Sequence, residues 1–269
     1  MTIGQGGVFT LEGNDREGAD MNLGSGSLVV ADGGILAANS QGRDQTGFHY
    51  THVRGNSGST ITVEKGGQIQ VPEYGYLQLR AEGGIQLQEG SSTASAGTLW
   101  FQAATELSGA LQITSDSSRW TRTEFENGLT VTSTGTVTTQ GERARFQVYG
   151  GLTNRGEMSL ASENNTFSGA SVNEGTITVS AEGILRMYNM GHSIQNKGRL
   201  QVDGRAYVGA TVLVNTGSIT GGGILRVGED FDFEANYDTG VEWVDEGVSY
   251  EDETPAKYPR YRFVRDPAA

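Results

Sequence analysis

Leu152-Thr-Asn154-Arg-Gly156-Glu-Met158-Ser-Leu160 belongs to a phrase that recurs along the C-terminal half of the sequence. The further copies are Val172-Asn173-Glu-Gly175-Thr-Ile177-Thr-Val179, Ile194-Gln-Asn196-Lys-Gly198-Arg-Leu200-Gln-Val202 and Val214-Asn215-Thr-Gly217-Ser-Ile219. The successive Asn positions are separated by 19, 23 and 19 residues. After each Gly, apolar and polar residues alternate, which indicates a strand with one buried side.

A repeat of about twenty residues has room for two or three short strands with tight corners between them. Each strand would then pair with its counterpart one coil further on, about 4.8 Å away. The alternative is a sandwich or barrel whose hairpins use the same turn residues. Hairpins favour adjacent Asn-Gly and a strand spacing of 8–12 residues, whereas this sequence has Asn-x-Gly at longer intervals. The sequence therefore predicts a right-handed single-stranded parallel β-helix, or β-solenoid.

The corner residues should occupy equivalent positions in successive coils. Asn side chains stacked in this way are expected to hydrogen-bond from amide to amide. We also expect Asn to tolerate a left-handed backbone at the corner, and Gly to adopt positive φ there. The predicted corner residues are Asn154, Gly156, Asn173, Gly175, Asn196, Gly198, Asn215 and Gly217.

Composition supports an all-β class. The 269 residues include 41 Gly and only 4 Pro, and the abundance of Gly disfavours long helices. The chain has no Cys, which removes disulfides and thiolate metal sites. A formal net charge of −13 disfavours nucleic acid as a partner, because phosphate backbones repel an acidic protein. We expect no membrane span and find no signal-peptide pattern, which predicts either assembly in the cytosol or a leader that has been lost, and the opening Met favours the first.

The two ends of the sequence differ from the repeats. Residues 1–25 lack the periodicity and are expected to form an N-terminal cap or anchor, with the β-helix covering residues 26–228. Residues 229–269 combine many acidic residues with aromatic ones. Because disordered segments are poor in aromatic residues, this stretch is predicted to cap the last coil or to contact another subunit.

Several Arg residues precede the Asn corners by a nearly constant distance, which predicts that Arg145, Glu163, Arg186 and Arg205 share one column. The extra residues of the longest coil should then lie around 181–184. Tyr188 and Tyr207 follow their Arg by two residues and should lie on the same side of the strand. An Arg/Tyr face of this kind is suited to an acidic glycan, and the alternative is a solvated face in which Arg145 pairs with Glu163. The predicted binding residues are Arg145, Arg186, Tyr188, Arg205 and Tyr207.

No catalytic cluster is predicted. The densest acidic group contains Asp230, Asp232 and Glu234, which share one side of a strand and could hold calcium, although a solvated face is the preferred interpretation. His49 and His52 are three residues apart without a further ligand, so no zinc site is expected. No cofactor is expected.

The recurring apolar–Asn–x–Gly phrases at residues 152–160, 172–179, 194–202 and 214–219 resemble the repeats of bacterial β-helix adhesins. They are also similar to β-helical spikes, fibres and capsid decorations of tailed phages. The resemblance implies a non-enzymatic structural or adhesive virion protein, with an exported bacterial adhesin as one alternative. A glycan-cleaving enzyme of the tailspike or lyase type is another, and it would need carboxylates converging in a groove.

The same resemblance implies a homotrimer that contacts other virion proteins, with a host-surface glycan as a further partner. The expected location is the virion, and the adhesin alternative places the protein outside the cell or on its surface. Because one β-helix can carry unrelated functions, the functional residues must be found from the surface itself.

Overall fold

The structure is a computed structural model that describes residues 1–12, 18–39, 51–116, 120–227, 241–245 and 261–265. Every regular element in this part of the chain is a β-strand. No helix among the described residues is long and apolar enough to cross a membrane. The prediction of an all-β parallel β-helix is confirmed. Its handedness stays a prediction.

Each coil contributes one strand to each of three faces. Face 1 contains β1 (Thr2–Ile3), β4 (Leu28–Val30), β7 (Ile61–Val63), β10 (Ile85–Leu87), β13 (Thr105–Leu107), β16 (Leu129–Val131), β19 (Leu152–Asn154) and β22 (Ser171–Asn173). Face 2 contains β2 (Val8–Glu12), β5 (Ile35–Asn39), β8 (Gln68–Val71), β11 (Ser92–Ser95), β14 (Ala110–Thr114), β17 (Thr136–Gln140), β20 (Glu157–Leu160), β23 (Thr176–Val179), β25 (Arg199–Val202) and β27 (Ser218–Thr220).

Face 3 contains β3 (Ala19–Gly24), β6 (Thr51–Gly55), β9 (Tyr76–Ala81), β12 (Thr98–Phe101), β15 (Thr121–Phe125), β18 (Ala144–Val148), β21 (Asn164–Ser168), β24 (Ile184–Asn196), β26 (Arg205–Asn215) and β28 (Ile224–Val227). β24 and β26 are long enough to turn the corner and continue on face 1, which joins faces 1 and 3 into a single sheet. Face 2 is a separate ten-stranded sheet. The strands β29 (Val241–Asp245) and β30 (Tyr261–Arg265) follow.

Strands are parallel and in register along each face, so the side chains alternate between the interior and the surface. The interior is filled by aliphatic residues and by Phe101, Phe125, Phe146 and Phe167, all almost completely buried. The rings of Phe101 and Phe125 are stacked, with their centroids 4.4 Å apart. Each such ring contributes about 3 kcal/mol through burial, so the aromatic stack stabilises the middle of the rod.

The four corner Asn side chains form a continuous buried ladder. Asn154 Nδ2 donates to Asn173 Oδ1 at 2.8 Å, and Asn173 Nδ2 donates to Asn196 Oδ1 at 2.7 Å. Asn196 Nδ2 continues to Asn215 Oδ1 at 2.7 Å. The second amide proton of each donor reaches a backbone carbonyl of the next coil, such as Arg199 O for Asn173. Both protons of each donating amide are therefore bonded in a dry interior, where an unbonded amide is costly.

The expectation of positive φ at these corners is wrong. Positive φ in the described residues occurs at other glycines and at Tyr74, and at none of the corner Asn or Gly residues. Instead, a Cβ on Gly175 would lie 2.2 Å from the carbonyl oxygen of Gly156, and a Cβ on Gly198 would lie 2.1 Å from that of Gly175. Glycine is required because each corner stacks directly on the previous one.

The regular coils begin before residue 26. β1, β2 and β3 pair in parallel with β4, β5 and β6, although their corners lack the Asn-x-Gly phrase. At the other end, β30 pairs antiparallel with β28 and with β29, so part of the 229–269 segment lies against the last coil. An antiparallel partner covers a strand edge that would otherwise be open to further pairing.

Candidate binding surface

The outward residues of face 3 form columns that run along the rod. The central column contains Asp20, His52, Gln78, Trp100, Glu124, Gln147, Thr166, Arg186 and Tyr207. A second column, two residues earlier on each strand, contains Tyr76, Thr98, Arg122, Arg145 and Asn164. This face therefore gathers aromatic and Arg side chains in a protein whose net charge is negative.

The predicted single column is wrong for Glu163 and Arg186, whereas the register places Arg205 in the column of Arg145, through Asn164 and Ile184. Arg145 is in register with Asn164, the residue after Glu163, whereas Arg186 is in register with Thr166. Arg186 thus lies in the central column, which is two residues further along each strand than the column of Arg145. The backbone carbonyl of Glu163, rather than its carboxylate, accepts a 2.7 Å hydrogen bond from Arg186 Nη1.

The location of the extra residues explains this error. Ser168 pairs with Tyr188, and Ser171 pairs with Ile194. The two Ser positions are three residues apart, whereas Tyr188 and Ile194 are six residues apart. Most of the insertion in the 23-residue coil therefore lies between Tyr188 and Ile194, at the corner of faces 3 and 1. The expected site near 181–184 contains a single extra residue, because Leu160 pairs with Val179 and Asn165 with Leu185.

Arg145 is the predicted binding residue with the clearest surface environment. Its guanidinium carbon lies 5.1 Å from the ring centroid of Trp120, a side chain that is 57% exposed. No described residue accepts a hydrogen bond from this guanidinium. The cation is attracted by the π-electrons of the ring, and this contact restricts the position of the guanidinium.

Arg122 lies directly beside Arg145 in the strand register, one coil earlier. It forms an ion pair with Glu124, with Arg122 Nη2 2.5 Å from Glu124 Oε1. The Glu124 side chain is only 6% exposed, whereas that of Arg122 is 47% exposed. One carboxylate thus balances one of two adjacent guanidinium groups, which leaves a local excess of positive charge around Arg145.

A related pair lies further along the rod. The guanidinium carbon of Arg186 lies 5.8 Å from the ring centroid of Tyr207, its neighbour in the central column. Arg205 is exposed on the same strand as Tyr207 and is in register with Ile184. The side chain of Tyr188 lies outside the described residues. Three of the five predicted residues, Arg186, Tyr207 and Arg205, are therefore close together, and Arg145 lies apart from them.

Face 2 has the opposite character. One of its outward columns is uncharged from β8 to β27 and consists of Gln70, Ala94, Gln112, Thr138, Ser159, Thr178, Gln201 and Thr220. This column therefore presents a neutral surface. The charged and aromatic residues are thus distributed unequally around the rod.

The corner between faces 3 and 1 carries an open groove with a volume of about 410 Å³. Small residues such as Gly84, Ala104 and Gly151 form its floor, with Gln86 and Glu106 at the side. Gly84 and Gly151 adopt positive φ, at 101° and 104°. Backbone conformation therefore accounts for these glycines without a ligand.

The metal candidates gain no support. Asp230, Asp232, Glu234 and His49 lie outside the described residues. His52 Nδ1 lies 2.6 Å from Asp20 Oδ1 and 2.6 Å from Arg54 Nη2, which makes it part of a polar cluster. Within the described part of the chain, no group of three or more His, Asp or Glu residues could hold a metal ion.

Trp120, Arg122 and Trp100 were missed as candidate residues. Their strands carry no Asn-x-Gly corner, so the repeat did not bring them into alignment with Arg145. The available signal was Arg119-Trp120-Thr121-Arg122 itself, a Trp between two Arg residues at the start of a strand. An exposed Trp beside Arg is typical of ligand-contacting surfaces.

Comparison with known proteins adds no argument about this chain. No family model matches the chain, and no curated protein is similar to it. One solved structure, the TibC-catalysed hyper-glycosylated fragment of TibA, is similar over 81% of this chain and 94% of its own. The identity is 17% and the TM-score is 0.25, so the likeness carries no functional argument.

Proposed function

We propose that this protein is a non-enzymatic adhesive rod that binds its partner through the outer side of face 3. The observation that supports the proposal most directly is Arg145 stacked on the exposed ring of Trp120. Exposed Trp and Arg side chains lying side by side are among the residue types most enriched at binding hot spots. Arg145 lies on β18, and Trp120 directly precedes β15, the strand that pairs with β18 in the parallel sheet.

The proposal excludes glycan cleavage as the function. Glycosidases place two carboxyl groups about 5 to 9.5 Å apart on either side of the bond that they cleave. On face 3 Glu124 is in register with Trp100, and its side chain is buried and already held by Arg122. That carboxylate is poorly placed to reach a substrate.

The proposed setting is the surface of a tailed-phage particle, as a host-binding spike or fibre or as a capsid decoration. A bacterial surface adhesin is the alternative, and it uses the same face of the rod. An antibody raised against the chain distinguishes them. Labelling of purified virions favours the phage setting, and labelling of uninfected bacteria favours the adhesin.

The central experiment measures binding of the fluorescently labelled full chain to intact bacterial and eukaryotic cells by flow cytometry. We expect saturable binding that Trp120→Ala abolishes and Thr138→Ala on face 2 leaves unchanged. Release of reducing sugar from the same cell surfaces would show an enzyme and overturn the proposal. Equal binding by both variants would move the adhesive surface away from face 3.

The homotrimer is part of this proposal. Mass photometry of the full chain at micromolar concentration should give a species of three times 28.6 kDa. A monomer at that concentration would remove the trimer and leave the adhesive face in place.

A further inference from the structure

We infer that the ligand of face 3 is a linear acidic polysaccharide, bound along the rod with one carboxylate at Arg145 and its sugar ring against Trp120. This inference rests on the proposed adhesive function and names its ligand class.

The starting point is the hydrogen-bonding capacity of Arg145. Its guanidinium is held against the Trp120 ring at 5.1 Å, and no described residue accepts from its N–H groups. A planar group with several parallel donors matches a carboxylate, which can accept two of them at once. The contact with Trp120 restricts the guanidinium before binding, which lowers the side-chain entropy lost when a carboxylate binds.

The local charge around Arg145 favours an anionic ligand. Arg122 and Arg145 are neighbours in the register, and like charges at that distance repel each other. Glu124 is paired with Arg122, so a second anion near Arg145 would relieve the remaining repulsion. Because the whole chain has a net charge of −13, a polymer of high charge density is repelled at long range. A polymer with one carboxylate on each sugar or on every second sugar can place an anion at Arg145. It is also repelled less by the whole chain than a nucleic acid is.

A further feature is the exposed Trp120 ring. The C–H groups of a pyranose pack against an indole, which provides an apolar contact that an inorganic anion cannot use. Trp100 lies in the central column, one coil before Glu124, and offers a second aromatic surface nearby. An aromatic surface beside a cation favours a ligand that is both cyclic and anionic.

A second pair of a guanidinium and an aromatic ring lies further along the rod. The Arg186–Tyr207 pair repeats the cation-over-ring arrangement at 5.8 Å. Arg186 lies in the second coil after Arg145, so the two pairs are about 10 Å apart along the rod. A linear polymer lying along the axis would reach both, and the second contact would form at high effective concentration.

The test uses the full chain and two matched polymers, polygalacturonate and its fully methyl-esterified form. Binding is measured by isothermal titration calorimetry at low and moderate salt. We expect polygalacturonate to bind and the ester to bind at least about tenfold more weakly, since esterification removes the charged carboxylate and leaves the sugar rings unchanged. Binding of polygalacturonate should weaken as salt rises. Equal binding of the two polymers would overturn the carboxylate contact.

Variants locate the site. Arg145→Gln should weaken polygalacturonate binding by about tenfold, and Arg186→Gln should weaken the polymer more than it weakens digalacturonate. Arg199→Gln removes the same charge from face 2 and serves as the control, with no change expected. A duplex DNA fragment that binds as tightly as polygalacturonate would show a general anion surface and overturn the inference.

The outcomes separate the two proposals. If Trp120→Ala abolishes cell binding while no acidic polysaccharide binds, the adhesive face stands and its ligand class is wrong. If the acidic polysaccharides bind but cells do not, the site exists and the adhesive function fails.

Discussion

The corner that follows face 1 is built in two ways along the same rod. In the N-terminal coils the buried position before this corner is aliphatic, as in Val63 and Leu87, and in the C-terminal coils it is Asn. Val131 lies directly below Asn154, so both kinds of residue occupy one column. A hydrophobic stack therefore changes into a hydrogen-bonded one within a single coil.

Turn length accompanies the change. After Val63 the turn has four residues and closes its own hydrogen bond, from Gly67 N to Glu64 O. After Asn173 only two residues precede the next strand, which is too few for such a bond. The amides of the short corner donate instead to the backbone carbonyl of the previous coil, as Lys197 N does to Asn173 O at 2.7 Å.

Leu107 shows that a short corner does not by itself require Asn. Its two-residue corner bonds in the same way, with Ser108 N and Gly109 N both donating to Leu87 O. The Asn ladder is better explained by neighbours, since a buried amide is satisfied by a second amide one coil away. Buried polar residues in this core therefore depend on the coils above and below them for their hydrogen-bond partners.

The largest effect is expected when an amide is placed in the aliphatic stack. Val63→Asn removes apolar burial and buries an amide between Val30 and Leu87, at a cost of about 4 kcal/mol. Val131→Asn is the matched variant, because Asn154 Oδ1 is available beside it. Urea denaturation should show a loss about 2 kcal/mol smaller for Val131→Asn. Equal losses would contradict the dependence on neighbours.

Interrupting the ladder should have the next largest effect. Asn173→Leu leaves Asn196 Oδ1 without its donor and Asn154 Nδ2 without its acceptor, so we expect a loss of about 3 kcal/mol. Asn154→Leu at the end of the ladder removes one amide–amide hydrogen bond rather than two and should cost less. Denaturation midpoints that rank the two variants in the reverse order would argue against a cooperative ladder.

A methyl group at the stacked glycine should have a smaller effect. Gly175→Ala places Cβ 2.2 Å from Gly156 O, and the backbone shift needed to relieve this contact costs about 2 kcal/mol. Gly222→Ala is the control, because a Cβ there meets nothing within 4 Å. Thermal unfolding of both variants tests the comparison, and a stable Gly175→Ala protein would show that the coils are not closely stacked.

The smallest effect concerns the charged surface of the same corner. Arg155 hydrogen-bonds the carboxylate of Glu174 at 3.0 Å, and this bond, followed by that of Lys197, lowers the pKa of Glu174 below its ordinary value of 4.5. A carboxyl with a lowered pKa in the folded state stabilises the protein above its unfolded pKa. That stabilisation is lost as the pH falls through the folded pKa.

The Tm of the wild type should therefore slightly exceed that of Glu174→Gln at pH 7, and the two should converge as the pH falls through the folded pKa of Glu174. The difference is small because all three side chains are exposed, at 54%, 36% and 48% for Arg155, Glu174 and Lys197. It should also shrink at high salt. A difference that persists at low pH would mean that Glu174 acts through packing rather than charge.

The class of fold, a parallel β-helix, follows from the sequence alone. Alternating residues after each Asn-x-Gly are a local property of the chain, and their spacing fixes the length of a coil. The same phrase located the buried Asn ladder, because a repeat that stacks must bring Asn154, Asn173 and Asn196 together.

The neighbours of each surface residue, by contrast, follow from the tertiary structure. The register across coils depends on where each insertion lies, and the residues between Tyr188 and Ile194 moved Arg186 away from the column of Arg145. The contact between Arg145 and Trp120 joins two coils of unlike sequence, so no repeat predicts it. Stacking also decided why the corners are glycine, since the restriction on Gly175 comes from the carbonyl of Gly156 one coil away.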